Sequence, residues 1–136
     1  MSKYFREKKS VRFAGVPHSV MENKSYIELS YSAKALLFEI AKQYNKHNNG
    51  KLCAIPEQLK VRGFGSATTV YGAVRELLDS NLIIYSKVAM KGSRQPHFYA
   101  ITWEKVNTNP GFEMDIEPTN KPLRAFSLEF NKSLVA

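Results

Sequence analysis

Gly63-Phe64-Gly65-Ser66-Ala67-Thr68-Thr69-Val70-Tyr71-Gly72-Ala73-Val74-Arg75-Glu76-Leu77-Leu78-Asp79 is the stretch that decides the fold. Its apolar residues Val70, Ala73, Val74, Leu77 and Leu78 fall at i, i+3, i+4, i+7 and i+8, the spacing of one buried helical face. Ser66 stands where a hydroxyl can accept a free backbone N–H of the first turn, so a helix is predicted over 66–79. The opposite face carries Thr68, Thr69, Tyr71, Gly72 and Arg75. Upstream, Pro56 suits a helix first turn, where its missing N–H would go unpaired anyway. A brief helix from 56 to 62 would bury Leu59 and be broken by Gly63-Phe64-Gly65.

Downstream, Leu82–Val88 and His97–Trp103 are rich in β-branched and aromatic residues and read as two strands. Met90-Lys91-Gly92-Ser93-Arg94-Gln95-Pro96 between them is polar, basic and turn-forming, so the pair reads as a hairpin with a cationic tip. Further upstream, Ala33, Leu36, Leu37, Ile40, Ala41 and Tyr44 again mark one helical face. Ser30 or Ser32 can cap that helix, and Asn49-Gly50 supplies its stop. Leu52-Cys53-Ala54-Ile55 is a short apolar run that suits one strand, and Ser19–Leu29 is weakly helical. The fold class is therefore α+β, mainly helical. Residues 1–17 form a basic arm, 18–103 the domain, and 104–136 an irregular tail suited to docking or dimerisation.

Helix, short strand, short helix, turn, helix and basic hairpin is the plan of a winged helix-turn-helix. A major groove about 12 Å wide admits one helix, and the preceding helix crosses the backbone and sets its angle. A basic wing releases counterions from neighbouring phosphates. The stretches Ser30–Leu37, Tyr44–Gly50 and Ser66–Leu77 through Leu82-Ile83 also resemble the core helices of small bacterial and phage winged-helix DNA-binding proteins. Val16-Pro17-His18 and Pro122-Leu123-Arg124 look like flanking features of that family. The resemblance spans roughly residues 14–126, with its core at about 30–103. It implies DNA binding, as a repressor or as an origin-binding replication protein, and in some members a protein-adapter role. Two departures stand out. Gly63-Phe64-Gly65 replaces a single glycine followed by an apolar residue and serine, which suggests a longer or differently bent turn. Gly72 stands where relatives carry a polar side chain, so it either lets backbone approach DNA or packs against another element.

The candidate recognition residues are Ser66, Thr68, Thr69, Tyr71 and Arg75. Hydroxyls meet phosphates or base edges, and arginine forks onto guanine. Arg75 has a competing partner in Asp79 at i+4. Candidates for the DNA backbone are Lys60 and Arg62, which end the positioning helix, and Lys87, Lys91, Ser93 and Arg94 of the wing. The arm offers Lys3, Arg6, Lys8, Lys9 and Arg12, interleaved with Tyr4, Phe5 and Phe13, in a pattern that can follow a groove. In the tail, Phe126, Leu128 and Phe130 alternate, as for an added strand or a dimer contact.

Composition agrees with a nucleic-acid partner. The 136 residues carry a net charge of +8, with a pI near 9.6, above the value of about 9 that marks a nucleic-acid footprint. The charge is +4 over residues 1–18, +2 over 19–55, +3 over 56–102 and −1 over 103–136. The lone Cys53 cannot form an internal disulfide, so the chain reads as cytoplasmic. His18, His47 and His97 lack metal-ligand spacing, and Glu113, Asp115 and Glu117 read as a solvated acidic stretch. There is no nucleophile elbow, P-loop or dinucleotide fingerprint, so neither an enzyme, a metal nor a cofactor is expected. The sequence thus predicts a sequence-specific binder of double-stranded DNA. It would be a transcriptional repressor or regulator of a phage or mobile element, acting as a homodimer. A replication initiator and a winged-helix protein adapter are the alternatives, each with its own replication or transcription protein partner.

Overall fold

Two helices that bury complementary faces form the centre of the molecule. The computed structural model describes residues 11–129. Short helices α1 (His18–Met21) and α2 (Lys24–Ile27) lead to α3 (Tyr31–Gln43). α4 (Pro56–Leu59) runs into a 3-10 turn at Lys60–Arg62, and α5 (Ala67–Asp79) follows. β1 (Ile83–Lys87) and β2 (Phe98–Ile101) pair antiparallel, with Ile83 opposite Ile101 and Tyr85 opposite Tyr99. A bulge between Tyr85 and Lys87 brings Lys87 opposite Phe98. The fold class is thus α+β, mainly helical, with a two-stranded hairpin.

The predicted periodicities are the buried faces. Ala33, Leu36, Leu37, Ile40 and Ala41 of α3 go inward with Val70, Ala73, Val74 and Leu77 of α5. Ser30 Oγ accepts from Ala33 N at 3.2 Å and so caps α3. The same serine binds Glu76 of α5 through both its backbone N (2.8 Å) and its hydroxyl (2.6 Å), so one residue starts one helix and fastens it to the other. α3 ends at Gln43, one residue before Tyr44, whose ψ of 126° is extended.

The Gly63-Phe64-Gly65 turn is built on one left-handed residue and one buried ring. Gly63 adopts φ 99°, a left-handed conformation that glycine accepts without strain. The reversal swings Phe64 into the core, where it is 6% exposed. Gly65 then leads into Ser66, whose Oγ accepts Thr69 N at 3.2 Å.

Two expectations are corrected. Leu52–Ile55 is not a strand: Leu52 alone forms a bridge, exchanging hydrogen bonds with Tyr99 at 2.7 and 3.2 Å. Gln43 satisfies Cys53 next to it, donating to its carbonyl (2.7 Å) and accepting its N–H (2.9 Å). The tail, up to residue 129, folds over its own domain. Arg124 N donates to Thr102 O, Asp115 N to Ser86 O and Asn107 N to Asn49 O, while Val106 and Phe126 enter the apolar interior. The described part of the 126–130 alternation, residues 126–129, forms no strand either. Phe126–Leu128 is a 3-10 turn with Phe126 buried and Leu128 exposed, and Phe130 lies outside the described residues.

Buried Asn49 ties the tail down. Its Nδ2 donates to the carbonyls of Ile101, Glu104 and Lys105 at 2.9–3.2 Å, and its Oδ1 accepts Ile101 N at 2.8 Å. Next to it, Gly50 has φ 115°, and a Cβ there would fall 2.5 Å from Met114 Sδ. Arg124 closes the far end. Its guanidinium holds Glu129 through Nε (2.7 Å) and Nη2 (2.8 Å), Ser25 Oγ (2.9 Å) and Ser80 O (2.9 Å), and lies 4.2 Å over the Phe126 ring.

Candidate nucleic-acid interface

α5 has two faces with different fates. Val70, Ala73, Val74 and Leu77 anchor it, while Thr68, Thr69, Tyr71, Gly72 and Arg75 are exposed. The Ser66 hydroxyl is engaged as the cap and lies 3.1 Å from Thr69 Oγ1. Arg75 has its competing partner, since Nε is 3.8 Å from Asp79 Oδ2 with both side chains more than 70% exposed. An ion pair this exposed contributes little and is readily exchanged for another anion. A Cβ on Gly72 would meet nothing within 4 Å. Among the described residues this glycine packs against no other element, and its backbone forms an open strip.

At the end of the positioning segment, Lys60 is exposed. Arg62 is held in a fork by Glu39 of α3, Nε to Oε1 at 3.1 Å and Nη2 to Oε2 at 3.3 Å. The arm residues Lys3, Arg6, Lys8 and Lys9 lie outside the described residues. Arg12 is exposed and, with Phe13, borders a cleft of about 520 Å³ against Tyr44 and Lys46.

The hairpin loop presents Lys91, Ser93 and Arg94 to solvent. Gly92 at φ 82° and a bond from Ser93 N to Met90 O (2.9 Å) make the turn. Ser93 Oγ accepts Gln95 N, which is a turn-stabilising role. Lys87 is placed otherwise than the cations of the loop. Its Nζ donates to Glu113 O at 2.7 Å and sits 5.8 Å from the Phe112 ring centre. Phe98, its partner across the bulge, packs edge-on against Phe112 at 4.7 Å. Asp115 accepts Val88 N at 2.8 Å. The tail thus covers the Lys87–Phe98 side of the hairpin and has already taken that cation.

The other side of the hairpin holds what sequence reasoning missed. Tyr85, His97 and Tyr99 line a groove of about 310 Å³ together with Tyr71, Val74 and Arg75 of α5. Tyr85 and Tyr99 stack at 5.4 Å, and His97 meets Tyr85 edge-on at 5.3 Å. His97 Nδ1 accepts Ala89 N at 2.9 Å, so the proton of the neutral ring sits on Nε2. Burial pushes the Tyr99 phenol well up, with Tyr85, Cys53 and Tyr71 adding to the shift, so it is a neutral donor or acceptor. The period-two spacing of His97 and Tyr99, paired with Tyr85, was the available signal.

Among the described residues no helix is long and apolar enough to cross a membrane, and no group of three or more His, Cys, Asp or Glu side chains is placed to hold a metal ion. No family model, curated protein or solved structure matches the chain.

Proposed function

We propose that the chain is a winged helix that binds double-stranded DNA, with α5 in the major groove and the 88–96 loop on the backbone. One observation carries this reading. α5 is locked by one face into the core, while its opposite face is exposed, open to backbone approach at Gly72, and adjoined by the hairpin. A helix held rigidly and exposed on one side, with a cationic loop beside it, meets what groove entry demands. Thr68, Tyr71 and Arg75 offer contacts for base edges or phosphates, and Lys60, Lys91 and Arg94 for phosphates. Arg62 and Lys87 are already paired and add less. The resemblance to phage and bacterial winged-helix proteins supports a role as a sequence-specific transcriptional repressor or regulator. One short helix reads few base pairs, so the working form we propose is a homodimer on two half-sites.

Binding to random-sequence duplex across a salt series tests the reading. Log affinity should fall linearly with log salt, and Lys91→Ala/Arg94→Ala should flatten the slope by about two units, at roughly 0.9 per lost phosphate contact. Absence of binding at low salt would refute it and favour the adapter reading.

A further inference from the structure

The groove between α5 and the hairpin is not explained by reading an intact duplex. Phosphate contact needs cations and base-edge readout is carried mainly by polar or charged side chains; this groove is walled mainly by rings, with Arg75 its one charged side chain among the described residues. Tyr71 is 63% exposed and Tyr85 40% exposed. Tyr85 is braced from behind by Tyr99 and from the side by His97. His97 is itself held by Ala89 N, so the platform is fixed before any ligand arrives. Ile55, Pro56, Leu78 and Pro96 complete an apolar rim, and Arg75 supplies a cation at its edge.

Flat aromatic walls, an apolar floor and an adjacent guanidinium suit one ligand chemistry above others, an unstacked nucleobase with its phosphate. Every base has a π-face, so stacking on a tyrosine ring is tolerant of sequence. The net charge of +8 attracts the polyanion that would carry the base. We propose that this groove receives one unpaired nucleobase, in contact with the Tyr71 and Tyr85 rings, so that the protein prefers DNA containing an extrahelical nucleotide to a fully paired duplex. The proposal rests on the DNA-binding reading above and extends it from groove recognition to locally opened DNA.

The test compares two probes of one sequence at low salt, a perfect duplex and the same duplex with a single-nucleotide bulge carrying 2-aminopurine. The readout is the ratio of their affinities, together with quenching of the fluorescent base. Wild type should bind the bulged probe roughly tenfold more tightly, in line with one base–aromatic stack, and quench it. Tyr85→Leu should bring the ratio to about one, and Tyr85→Phe, which keeps the ring, should retain it. A thermal melt of each variant shows that it is folded. Equal affinity of wild type for both probes would overturn the proposal and leave duplex binding standing. A preference that survives Tyr85→Leu, or is lost in Tyr85→Phe, would overturn the stacking site. Binding to neither probe would overturn this proposal and the DNA-binding reading together.

Discussion

Arg124 and Asn49 each satisfy several groups from distant parts of the chain. The Glu129 carboxyl is held below its usual range chiefly by its hydrogen bonds from Arg124; burial opposes this, and the bond from Asn23 Nδ2 at 3.1 Å and the guanidinium charge add to the lowering. A carboxyl whose pKa is depressed on folding stabilises the fold above its unfolded value, 4.5 for this side chain. That contribution disappears as pH falls through the lower folded value. Chemical denaturation of wild type should therefore show stability falling as the solution is acidified below about pH 5, in the range where native and unfolded titrations diverge. Glu129→Gln should lower stability at neutral pH and flatten this part of the profile. Asn49 is the more expensive residue to lose. Its removal leaves the buried N–H and carbonyl of Ile101 without their partner, together with the half-buried carbonyls of Glu104 and Lys105, and each unsatisfied buried group costs about 1–3 kcal/mol. Asn49→Ala should destabilise by at least about 3 kcal/mol in urea titration, within the range of broken buried networks. Asn49→Asp should fare no better, because a carboxylate cannot donate to the three carbonyls now facing Nδ2. Neither role was legible beforehand. Asn49 reads as a helix stop and Pro122-Leu123-Arg124 as a flanking resemblance, since long-range polar partners leave no periodicity.

At the level of elements, sequence reading worked where a local rule governs the backbone. The i, i+3, i+4 faces of α3 and α5 are the buried faces, and Ser30 and Ser66 are both caps. It failed where pairing is decided by tertiary neighbours. Leu52–Ile55 has strand composition, yet Gln43 takes the backbone of Cys53, and one bridge is all that forms. The turn at Gly63–Gly65 needed both its positive φ and the buried Phe64 ring to be understood. Gly72 separates stability from function on α5. Nothing crowds a Cβ there, and alanine is favoured over glycine in a helix by about 1 kcal/mol. Gly72→Ala should therefore stabilise the protein by up to about 1 kcal/mol in thermal melts, while weakening duplex binding if backbone approaches DNA at this point. Stabilisation without any loss of affinity would move the contact off this strip. Ser66→Ala should cost about 1 kcal/mol as a lost cap.

For the whole molecule, the tail redraws the domain. A boundary at Trp103 is natural in the sequence, because helical and strand periodicity stop there. The chain nevertheless continues as a wrap, through Asn49–Asn107, Ser86–Asp115 and Thr102–Arg124. Val106 and Phe126 lie in the interior, and Met114 sits where only glycine leaves room at position 50. Such a wrap is invisible to pattern reading, because each residue docks singly on an element already built. It also gives the hairpin two unlike sides, one sealed by Phe112, Glu113 and Asp115 and one open beside α5. Under the proposed DNA-binding reading, that asymmetry decides which hairpin cations are free to meet phosphates. Lys91→Ala should weaken duplex binding and reduce its salt slope by about 0.9, whereas Lys87→Ala should leave the slope nearly unchanged. A chain ending at Trp103 strips Asn49 of its partners at Glu104, Lys105 and Asn107, exposes the Lys87–Phe98 side and removes two buried apolar side chains. A domain of this size has about 5–15 kcal/mol in hand, and a loss of several kcal/mol consumes most of it. The truncated chain should lose the cooperative unfolding transition of the full one while keeping much of its helical circular dichroism, since α3 and α5 are local. Retention of a sharp transition at the full-length midpoint would show that the wrap is an accessory to a core that closes without it.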